Sequence, residues 1–358
     1  MTDQRKRQRP DDYFADWKQR EALAEAMIPM VGGLARERNL KCYIYGRSLV
    51  NQSVLDIMKN HRYVRQVEQN ELSEFETAPV IQKMVAMNLG PGHVDVGRLA
   101  VEYFDKAQGQ GLSLDEYVEQ QLGFLVTNTT PPVEKPVDVV LYGFGRIGRL
   151  MARILIAKTD GGASLRLRAV VVRKGGAPDD LVKRASLLRR DSVHGAFQGT
   201  IRVDEERQSF VANGNEVKVI YANSPEEIDY TAYGIDNCIV VDNTGVWRDR
   251  DGLSRHLKAK GVRKVILTAP GKGDLKNVVA GINSDIIGDD DQIISAASCT
   301  TNAIVPPLKA VDDEFGIVTG HVETVHAYTN DQNLIDNYHK SERRGRSAPL
   351  NMVLTETG

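Results

Sequence analysis

The sequence VDVVLYGFGRIGR, residues 137–149, decides the fold of the larger part of this chain. Its first six residues are a short apolar run of the kind that forms a buried strand. The glycine spacing G-x-G-x-x-G follows at once, and apolar residues at helical intervals come after it. Glycine permits a tight turn and the close approach of other groups. The stretch therefore predicts a strand, a glycine-rich turn and a helix in succession.

The glycines of this turn are Gly143, Gly145 and Gly148, with Phe144, Arg146 and Ile147 between them. A turn of this kind commonly holds the pyrophosphate of a dinucleotide, because the N–H groups at the helix N-terminus point at the phosphates. A plain glycine turn can have the same spacing, since glycine is a common residue. The flanking strand and helix favour the nucleotide-binding interpretation.

The end of the second predicted strand bears on the choice between NAD and NADP. Residues 165–172 form that strand, and Arg173 and Lys174 follow it. An acidic residue at this place usually accepts hydrogen bonds from the ribose hydroxyls of NAD. A cation cannot accept those bonds, but it can pair with the 2′-phosphate of NADP. The pair therefore favours NADP or the use of both cofactors, although two solvated loop charges give the same pattern.

Short apolar runs alternate with helical segments after the glycine turn, which is typical of a doubly wound parallel sheet. The runs cover residues 137–142, 165–172, 238–242, 265–267 and 292–294. Residues 11–126 differ, because they consist mostly of helical patterns separated by glycine and proline. A polar, proline-rich linker at residues 127–136 separates the two parts of the chain.

Composition limits the partners and the compartment. The 358 residues carry a formal net charge of −2, so nothing in the overall charge supports binding to nucleic acid or to an anionic membrane. The sequence has no secretory signal and no apolar stretch long enough to span a bilayer. Its three cysteines, Cys42, Cys238 and Cys299, are widely spaced, which argues against a disulfide framework and against a metal site. We expect a cytoplasmic protein.

Cys299 lies at a predicted strand-to-helix junction. Apolar residues end a strand at Ile294, and helical spacing begins at about Ala303. The N–H groups and the positive dipole end of a helix favour an anion, so a thiol there has a lowered pKa and reacts as the thiolate. A small buried cysteine is the alternative interpretation.

Several motifs in the same order resemble the phosphorylating glyceraldehyde-3-phosphate dehydrogenase family, in particular its long bacterial forms with an N-terminal helical extension. They include residues 142–149, 191–195, 243–246, 268–270 and the active-site signature Ser298-Cys299-Thr300-Thr301-Asn302. The resemblance covers nearly all of residues 137–358. It implies that Cys299 is the nucleophile and that His326, in the sequence Thr324-Val325-His326, is the base.

The resemblance also implies the remaining site residues. It assigns Ser298, Thr300, Arg346, Thr357 and Gly358 to the attacking phosphate, and Thr329 and Asp331 to the substrate phosphate. It adds Thr244, Gly245 and Thr268 to the cofactor site. Residues 331–350 resemble a loop that lines the neighbouring subunit's cofactor site in a homotetramer. The three arginines of this loop, Arg343, Arg344 and Arg346, require acidic or phosphate partners.

Three regions follow from the motifs and the resemblance together. A mainly helical extension with its linker covers residues 1–130, a Rossmann-type NAD(P)-binding domain covers residues 131–298, and an incomplete α+β catalytic domain covers residues 299–358. The family's catalytic domain is much longer than this third region, so we expect the chain to be an inactive fragment of a longer protein. Residues 318–326 are expected to form a strand with unpaired edges.

The expected activity is the oxidation of D-glyceraldehyde 3-phosphate, with phosphate and NAD or NADP, to 1,3-bisphosphoglycerate through a thioester. Erythrose 4-phosphate is an alternative substrate. A noncatalytic nucleotide-binding or redox-sensing protein is the alternative from another class, because an exposed thiolate is also oxidisable. The extension is expected to be a regulatory or assembly module.

Overall fold

The computed structural model describes residues 10–68, 71–126, 136–158, 165–341 and 343–354. The chain divides into two compact units. One comprises Met1–Pro136 with Leu155–Arg166, and the other comprises Val137–Ile154 with Leu167–Gly358. The predicted linker, apart from Pro136, lies outside the described residues.

Helices dominate the first unit. They are α1 (Tyr13–Arg38), α2 (Val54–Val67), α3 (Glu74–Ala86), α4 (Val96–Glu102) and α5 (Leu114–Val126). A wide helical turn, Tyr103–Ala107, continues α4. Ser113 and Glu116 form a capping box at the start of α5: the Glu116 carboxylate accepts from the Ser113 N–H at 3.0 Å, and the Ser113 hydroxyl accepts from the Glu116 N–H at 3.3 Å.

A small sheet in this unit was not predicted. Its strands are β1 (Leu40–Ile44), β2 (Arg47–Ser48) and β3 (Gly92–Asp95), in the order β2-β1-β3. Strands of two to five residues give too short an alternation to stand out in sequence. The buried side chains of the sheet join those of the helices in one apolar core.

The second unit alternates strands and helices, although residues 155–158, in one helix, and 165–166, in one strand, are counted with the first unit. Its elements are β4 (Val137–Tyr142), α6 (Arg146–Lys158), β5 (Leu165–Val172), α7 (Asp180–Arg189), β6 (Arg190–Asp191), β7 (Gly195–Ala196), β8 (Ile201–Asp204), β9 (Ser209–Ala212), β10 (Asn215–Tyr221), β11 (Cys238–Asp242), α8 (Arg250–Leu257), β12 (Val262–Leu267), β13 (Ile293–Ser295) and α9 (Cys299–Phe315). All five apolar runs found in the sequence are strands of this unit, with ends shifted by up to three residues.

One eight-stranded sheet organises the described part of this unit, in the order β13-β12-β11-β4-β5-β10-β9-β8. Parallel pairing joins β13, β12, β11 and β4, and also β5 and β10, whereas β9 and β8 run antiparallel at one edge. The strand order reverses direction beside β4, because the chain goes first to β5 and later returns to β11. Such a switch point opens a crevice at the carboxyl ends of the strands. The prediction of an α/β fold with a doubly wound sheet is confirmed.

The central strand β4 is buried along almost its whole length, as expected for a parallel strand with elements on both faces. Its one acidic residue, Asp138, is buried and lies 3.2 Å from the Arg168 guanidinium of β5. The ion pair compensates for a carboxylate inside the sheet.

The prediction of a strand at residues 318–326 is wrong. Residues 316–354, so far as the structure describes them, form neither a helix nor a strand, and residues 316–326 are exposed throughout. A strand needs a neighbour to satisfy its N–H and C=O groups. No strand of the described residues pairs with this segment.

Candidate active site

The chain bends sharply between β13 and α9. Ala297 adopts a φ of +59°, which an L-residue with a Cβ visits at a cost of roughly 1–2 kcal/mol. The Ala297 N–H donates to the Ser295 hydroxyl at 3.0 Å. The Asn302 amide, one turn into the helix, donates to the carbonyls of Ala296 and Ser298 at 2.8 and 2.9 Å. These bonds hold the bend and fix the direction in which α9 begins.

Cys299 is the first residue of α9 and is exposed. Ser298 is the N-cap, and its hydroxyl accepts from the Thr301 N–H at 2.9 Å. The thiol therefore lies beside the positive end of the helix dipole, as the sequence predicts.

The structure brings Cys299 and His326 together across 27 residues of chain. The Cys299 Sγ lies 3.2 Å from the His326 Nε2. The other ring nitrogen of His326, Nδ1, lies 2.6 Å from the Ala327 carbonyl oxygen. Because a carbonyl only accepts, Nδ1 carries a proton, and Nε2 is the nitrogen that exchanges a proton with sulfur.

The two groups shift each other's protonation. The hydrogen bond from His326 lowers the pKa of the Cys299 thiol below its ordinary value, burial of the sulfur opposes this effect, and a hydrogen bond with Thr300 adds to it. The same hydrogen bond raises the pKa of the His326 imidazole, with help from the Ala327 carbonyl. Both shifts favour a thiolate beside an imidazolium.

The other two cysteines have the opposite environment. Cys42 and Cys238 are buried, and burial raises the pKa of each thiol to about 12. A thiol in an apolar interior stays protonated and unreactive. Among the described cysteines, Cys299 alone combines exposure with a lowered pKa.

The residues assigned to phosphate lie in several places. Ser298 and Thr300 adjoin Cys299 at the N-terminus of α9. Thr329 and Asp331 lie on an exposed loop, where Asp331 pairs with Arg344 and lies 3.9 Å from His339. Thr357 and Gly358 lie outside the described residues.

The loop of residues 331–350 supplies acidic partners for two of its own arginines. Arg344 pairs with Asp331, and the Arg346 guanidinium lies 2.9 Å from the Asp336 carboxylate. The requirement for partners is therefore met within the loop itself for Arg344 and Arg346. Arg346 is still mostly exposed, so a phosphate can compete with Asp336 for its guanidinium.

A cavity of about 480 Å³ opens at the switch point of the sheet. Its walls include the turn after β4, the end of β5 and the loop after β11. The predicted residues Gly143, Phe144, Gly145, Arg173 and Thr244 line it. The volume is within the range of about 300–1,000 Å³ that is usual for small-molecule sites.

Each glycine of the turn has a different surrounding. Gly143 has a φ of +93°, which favours glycine. A Cβ on Gly148 would lie 2.2 Å from the Gly143 carbonyl oxygen, so this residue allows the helix to pack on the turn. A Cβ on Gly145 would have no protein atom within 4 Å. The open space beside Gly145 is what a bound pyrophosphate requires.

The remaining predicted cofactor residues do not line the cavity. Arg146 and Ile147 begin α6 and are exposed. The loop residue Gly245 has a φ of +64°. The Thr268 hydroxyl donates within the loops, to the Asp242 carbonyl at 3.0 Å or the Asn243 amide oxygen at 3.2 Å.

The two basic residues after β5, Arg173 and Lys174, have different surroundings. Arg173 lines the cavity, whereas the Lys174 ammonium lies 6.0 Å from the ring centre of Tyr221. A second arginine, Arg184 of α7, lines the same corner and donates to the Arg173 carbonyl at 2.9 Å. Sequence reasoning missed Arg184, since it lies 11 residues further on. The only sequence signal for Arg184 is the acidic residue four positions earlier, Asp180, whose carboxylate lies 2.7 Å from the guanidinium in the structure.

Other cavity residues were also missed. Tyr142, Val246 and Trp247 line it; the first two lie within recognised motifs, and Trp247 directly follows one. No group of three or more histidine, cysteine or acidic residues in the described ranges is arranged to hold a metal ion. No helix in the part of the chain that the structure covers is both long and apolar enough to cross a membrane.

Comparison with known proteins identifies the same two regions. Residues 137–250 match the family described as "Glyceraldehyde 3-phosphate dehydrogenase, NAD binding domain", and residues 298–358 match "Glyceraldehyde 3-phosphate dehydrogenase, C-terminal domain". The first match contains the glycine turn, and the second contains Cys299 and His326.

Similar proteins come from bacteria and plants. A "Glyceraldehyde-3-phosphate dehydrogenase-like protein" of Pseudomonas aeruginosa (strain UCBPP-PA14) is 60% identical over 334 residues, which cover 93% of this chain and 72% of that protein. The glyceraldehyde-3-phosphate dehydrogenase of Thermotoga maritima is 41% identical over 62% of each chain. The chloroplastic glyceraldehyde-3-phosphate dehydrogenase A of Zea mays is 40% identical over 63% of this chain and 54% of its own length.

The match to the Pseudomonas protein includes most of the helical N-terminal unit, because it covers 93% of the chain. The chain spans less than two thirds of the Thermotoga and maize proteins. The match to the NAD-binding domain precedes the match to the C-terminal domain along the chain. The chain belongs to the glyceraldehyde-3-phosphate dehydrogenase family.

Proposed function

We propose that the complete gene product is an NAD(P)-dependent phosphorylating aldehyde dehydrogenase. Its reaction is the oxidation of D-glyceraldehyde 3-phosphate, with inorganic phosphate, to 1,3-bisphosphoglycerate. The observation that carries this proposal is the Cys299 Sγ lying 3.2 Å from the His326 Nε2 at the start of α9. The names of the relatives support the substrate.

The first step is addition of sulfur to the aldehyde. The Cys299 thiolate attacks the carbonyl carbon, and a C–S bond forms as the C=O π bond breaks. The negative charge moves to the carbonyl oxygen. His326, protonated on Nε2 when it faces a thiolate, delivers its proton to that oxygen. The product is a neutral hemithioacetal beside a neutral imidazole.

The second step is oxidation. A bound nicotinamide supplies a hydride acceptor for the hemithioacetal carbon. His326 Nε2 takes the hydroxyl proton as the carbonyl is restored, which gives a thioester on Cys299 and an imidazolium. The Ala327 carbonyl keeps the proton on Nδ1, so Nε2 is available as a base in the neutral state.

The third step is attack of phosphate on the thioester, which releases the acyl phosphate and returns the thiolate. Hydroxyls and guanidinium groups suit phosphate binding because they donate to its oxygens. We assign Ser298, Thr300 and Arg346 to the attacking phosphate, together with Thr357 and Gly358. We assign Thr329 and Asp331 to the substrate phosphate, with the hydroxyl of Thr329 as the donor.

The cavity at the switch point fits a dinucleotide. Gly143, Gly145 and the N-terminus of α6 can receive the pyrophosphate, and Thr244 faces the same space from the opposite loop. Residues 131–298 are accordingly proposed as the NAD(P)-binding domain and residues 299–358 as the start of the catalytic domain.

Two glycine substitutions are expected to separate cofactor binding from folding. Gly145→Ala places a methyl in open space, so the free energy of unfolding should change by less than about 0.5 kcal/mol. The cofactor Kd should rise about tenfold or more, because the methyl occupies the pyrophosphate position. Gly148→Ala forces a methyl against a backbone oxygen and costs about 1–3 kcal/mol of stability. Calorimetric titration and thermal unfolding measure the two effects. Equal loss of stability in both variants would contradict these roles.

Arg173 is expected to decide the preference for NADP. Arg173→Asp removes the cation that can pair with a 2′-phosphate and adds an acceptor for the ribose hydroxyls, so the NADP/NAD ratio of kcat/KM falls at least about tenfold. Lys174→Ala is the matched control, since Lys174 lies near Tyr221 and does not line the cavity. An unchanged ratio in Arg173→Asp would remove the basis for NADP use.

One assay separates the proposed activity from its rivals. The complete gene product, given the aldehyde and either cofactor, should form reduced nicotinamide only when inorganic phosphate is present. Faster turnover of erythrose 4-phosphate than of glyceraldehyde 3-phosphate would identify erythrose 4-phosphate as the substrate. No turnover of either aldehyde, with Cys299 oxidised by peroxide, would favour the redox-sensing alternative.

Assembly follows from the same proposal. Exposed apolar side chains, among them Val318, Tyr338 and Met352, are typical of a surface that packs against further protein. We propose a homotetramer in the cytoplasm, with residues 1–130 as a regulatory or assembly module.

A further inference from the structure

A buried polar pair lies behind the residues that line the cavity at the switch point. Asp242, the last residue of β11, and His256 of α8 are both fully buried, and the His256 Nε2 lies 2.9 Å from the Asp242 Oδ2. The proposed reaction does not use either residue. A buried carboxylate requires several donors.

The other carboxylate oxygen of Asp242 holds the loop that lines the cavity. Its Oδ1 accepts from the Thr244 N–H and from the Thr244 hydroxyl, each at 2.7 Å. The Thr244 hydroxyl in turn accepts from the Val246 N–H at 3.2 Å. Three donors thus converge on one carboxylate, and two of them belong to a residue that lines the cavity.

The surroundings of His256 indicate which ring nitrogen donates to Asp242. Its Nδ1 is buried and has no hydrogen-bond partner among the described residues. A proton on Nδ1 would be an unsatisfied buried donor, which costs about 1–3 kcal/mol. The arrangement therefore favours a proton on Nε2, directed at Asp242, over one on Nδ1.

His256 also touches the cavity wall through its ring. The ring centres of Tyr142 and Trp247 lie 4.7 and 5.6 Å from that of His256, both in edge-to-face geometry. Both aromatic residues line the cavity. Hydrogen bonds and ring contacts thus connect His256 to the same wall by separate routes.

We propose that His256 and Asp242 are positioning residues that hold the loop after β11 in its cofactor-binding shape. Neither side chain lines the cavity, so their effect on the cofactor passes through Thr244, Val246 and Trp247. Preorganising this loop lowers the entropy cost of binding. The inference rests on the proposed function, because it requires that the cavity binds a dinucleotide.

The test compares variants of the complete gene product by calorimetric titration with the cofactor and by steady-state kinetics. His256→Phe keeps a ring but loses the donor, so the cofactor Kd and KM should both rise about tenfold while kcat changes less than about threefold. His256→Gln retains an N–H donor and should fall between this variant and the parent. Val217→Ala, a buried truncation on β10, is the control for lost stability: its Tm should fall with Kd unchanged.

A double-mutant cycle keeps the test decisive even if His256→Phe does not fold. Thr244→Val breaks the same chain of hydrogen bonds at its other end, so adding His256→Gln should raise Kd little further. Additive effects in the cycle would overturn the proposal, as would a His256→Phe variant that binds within about twofold of the parent. Absence of cofactor binding by the parent protein would instead contradict the proposed function.

Discussion

Replacing Cys299 by serine is expected to reduce turnover on the order of 10⁴-fold or more. The serine hydroxyl stays protonated at neutral pH, so the nucleophile that forms the thioester is lost. Cofactor binding should remain, because Cys299 does not line the cavity at the switch point. Steady-state kinetics and calorimetric titration on the complete gene product measure the two effects.

Cys42→Ala is the matched control for Cys299→Ser. Cys42 is buried in the N-terminal unit, and its thiol pKa of about 12 makes it unreactive. Its substitution should cost some stability and leave turnover per folded molecule unchanged. A Cys299→Ser variant that keeps a tenth or so of the parent turnover would exclude covalent catalysis at this residue.

Replacing His326 by glutamine is expected to affect both the pKa of Cys299 and the turnover. The imidazole lowers the pKa of the thiol, so its removal raises that pKa and reduces the thiolate fraction near neutral pH. At pH values below the parent's thiol pKa, each unit of that rise slows alkylation by iodoacetamide about tenfold. The loss of the base lowers turnover by roughly 10²–10⁴-fold.

The pH dependence of the alkylation rate shows in which direction the pKa of the Cys299 thiol moves. In the parent, the alkylation rate should rise with pH through the lowered pKa of the thiol and then level off. In His326→Gln the same curve should move to higher pH and reach a plateau at least as high, because a thiolate of higher pKa is intrinsically more nucleophilic. His339→Gln is the control, since His339 faces Asp331 and Ser341 and has no contact with Cys299. A His326→Gln curve that coincides with the parent would show that the pair is not coupled.

Local pattern was enough to predict the parts of the fold that depend on neighbours in sequence. A few adjacent residues were enough to predict the buried strand before Gly143 and the helix start at Cys299. The pairing of Cys299 with His326 is not local, and it was expected only because the motifs resemble a known family.

The parts that sequence did not predict depend on distant contacts. His256 reads as an ordinary helix residue, and only the fold brings it beneath Asp242. Arg184 reaches the end of β5 because α7 packs there. Residues 318–326 have a strand-like composition, but they lack a neighbouring strand among the described residues.

The thioester on Cys299 is the most direct test of the proposed chemistry. The complete gene product would be mixed with glyceraldehyde 3-phosphate and oxidised cofactor without inorganic phosphate, quenched in acid and digested, and its peptides weighed by mass spectrometry. We expect the peptide that contains Cys299 to gain the mass of one phosphoglyceroyl group, and to lose it when phosphate is added before the quench. Reduced nicotinamide formed with no added mass on that peptide, or with the added mass on another residue, would contradict the account.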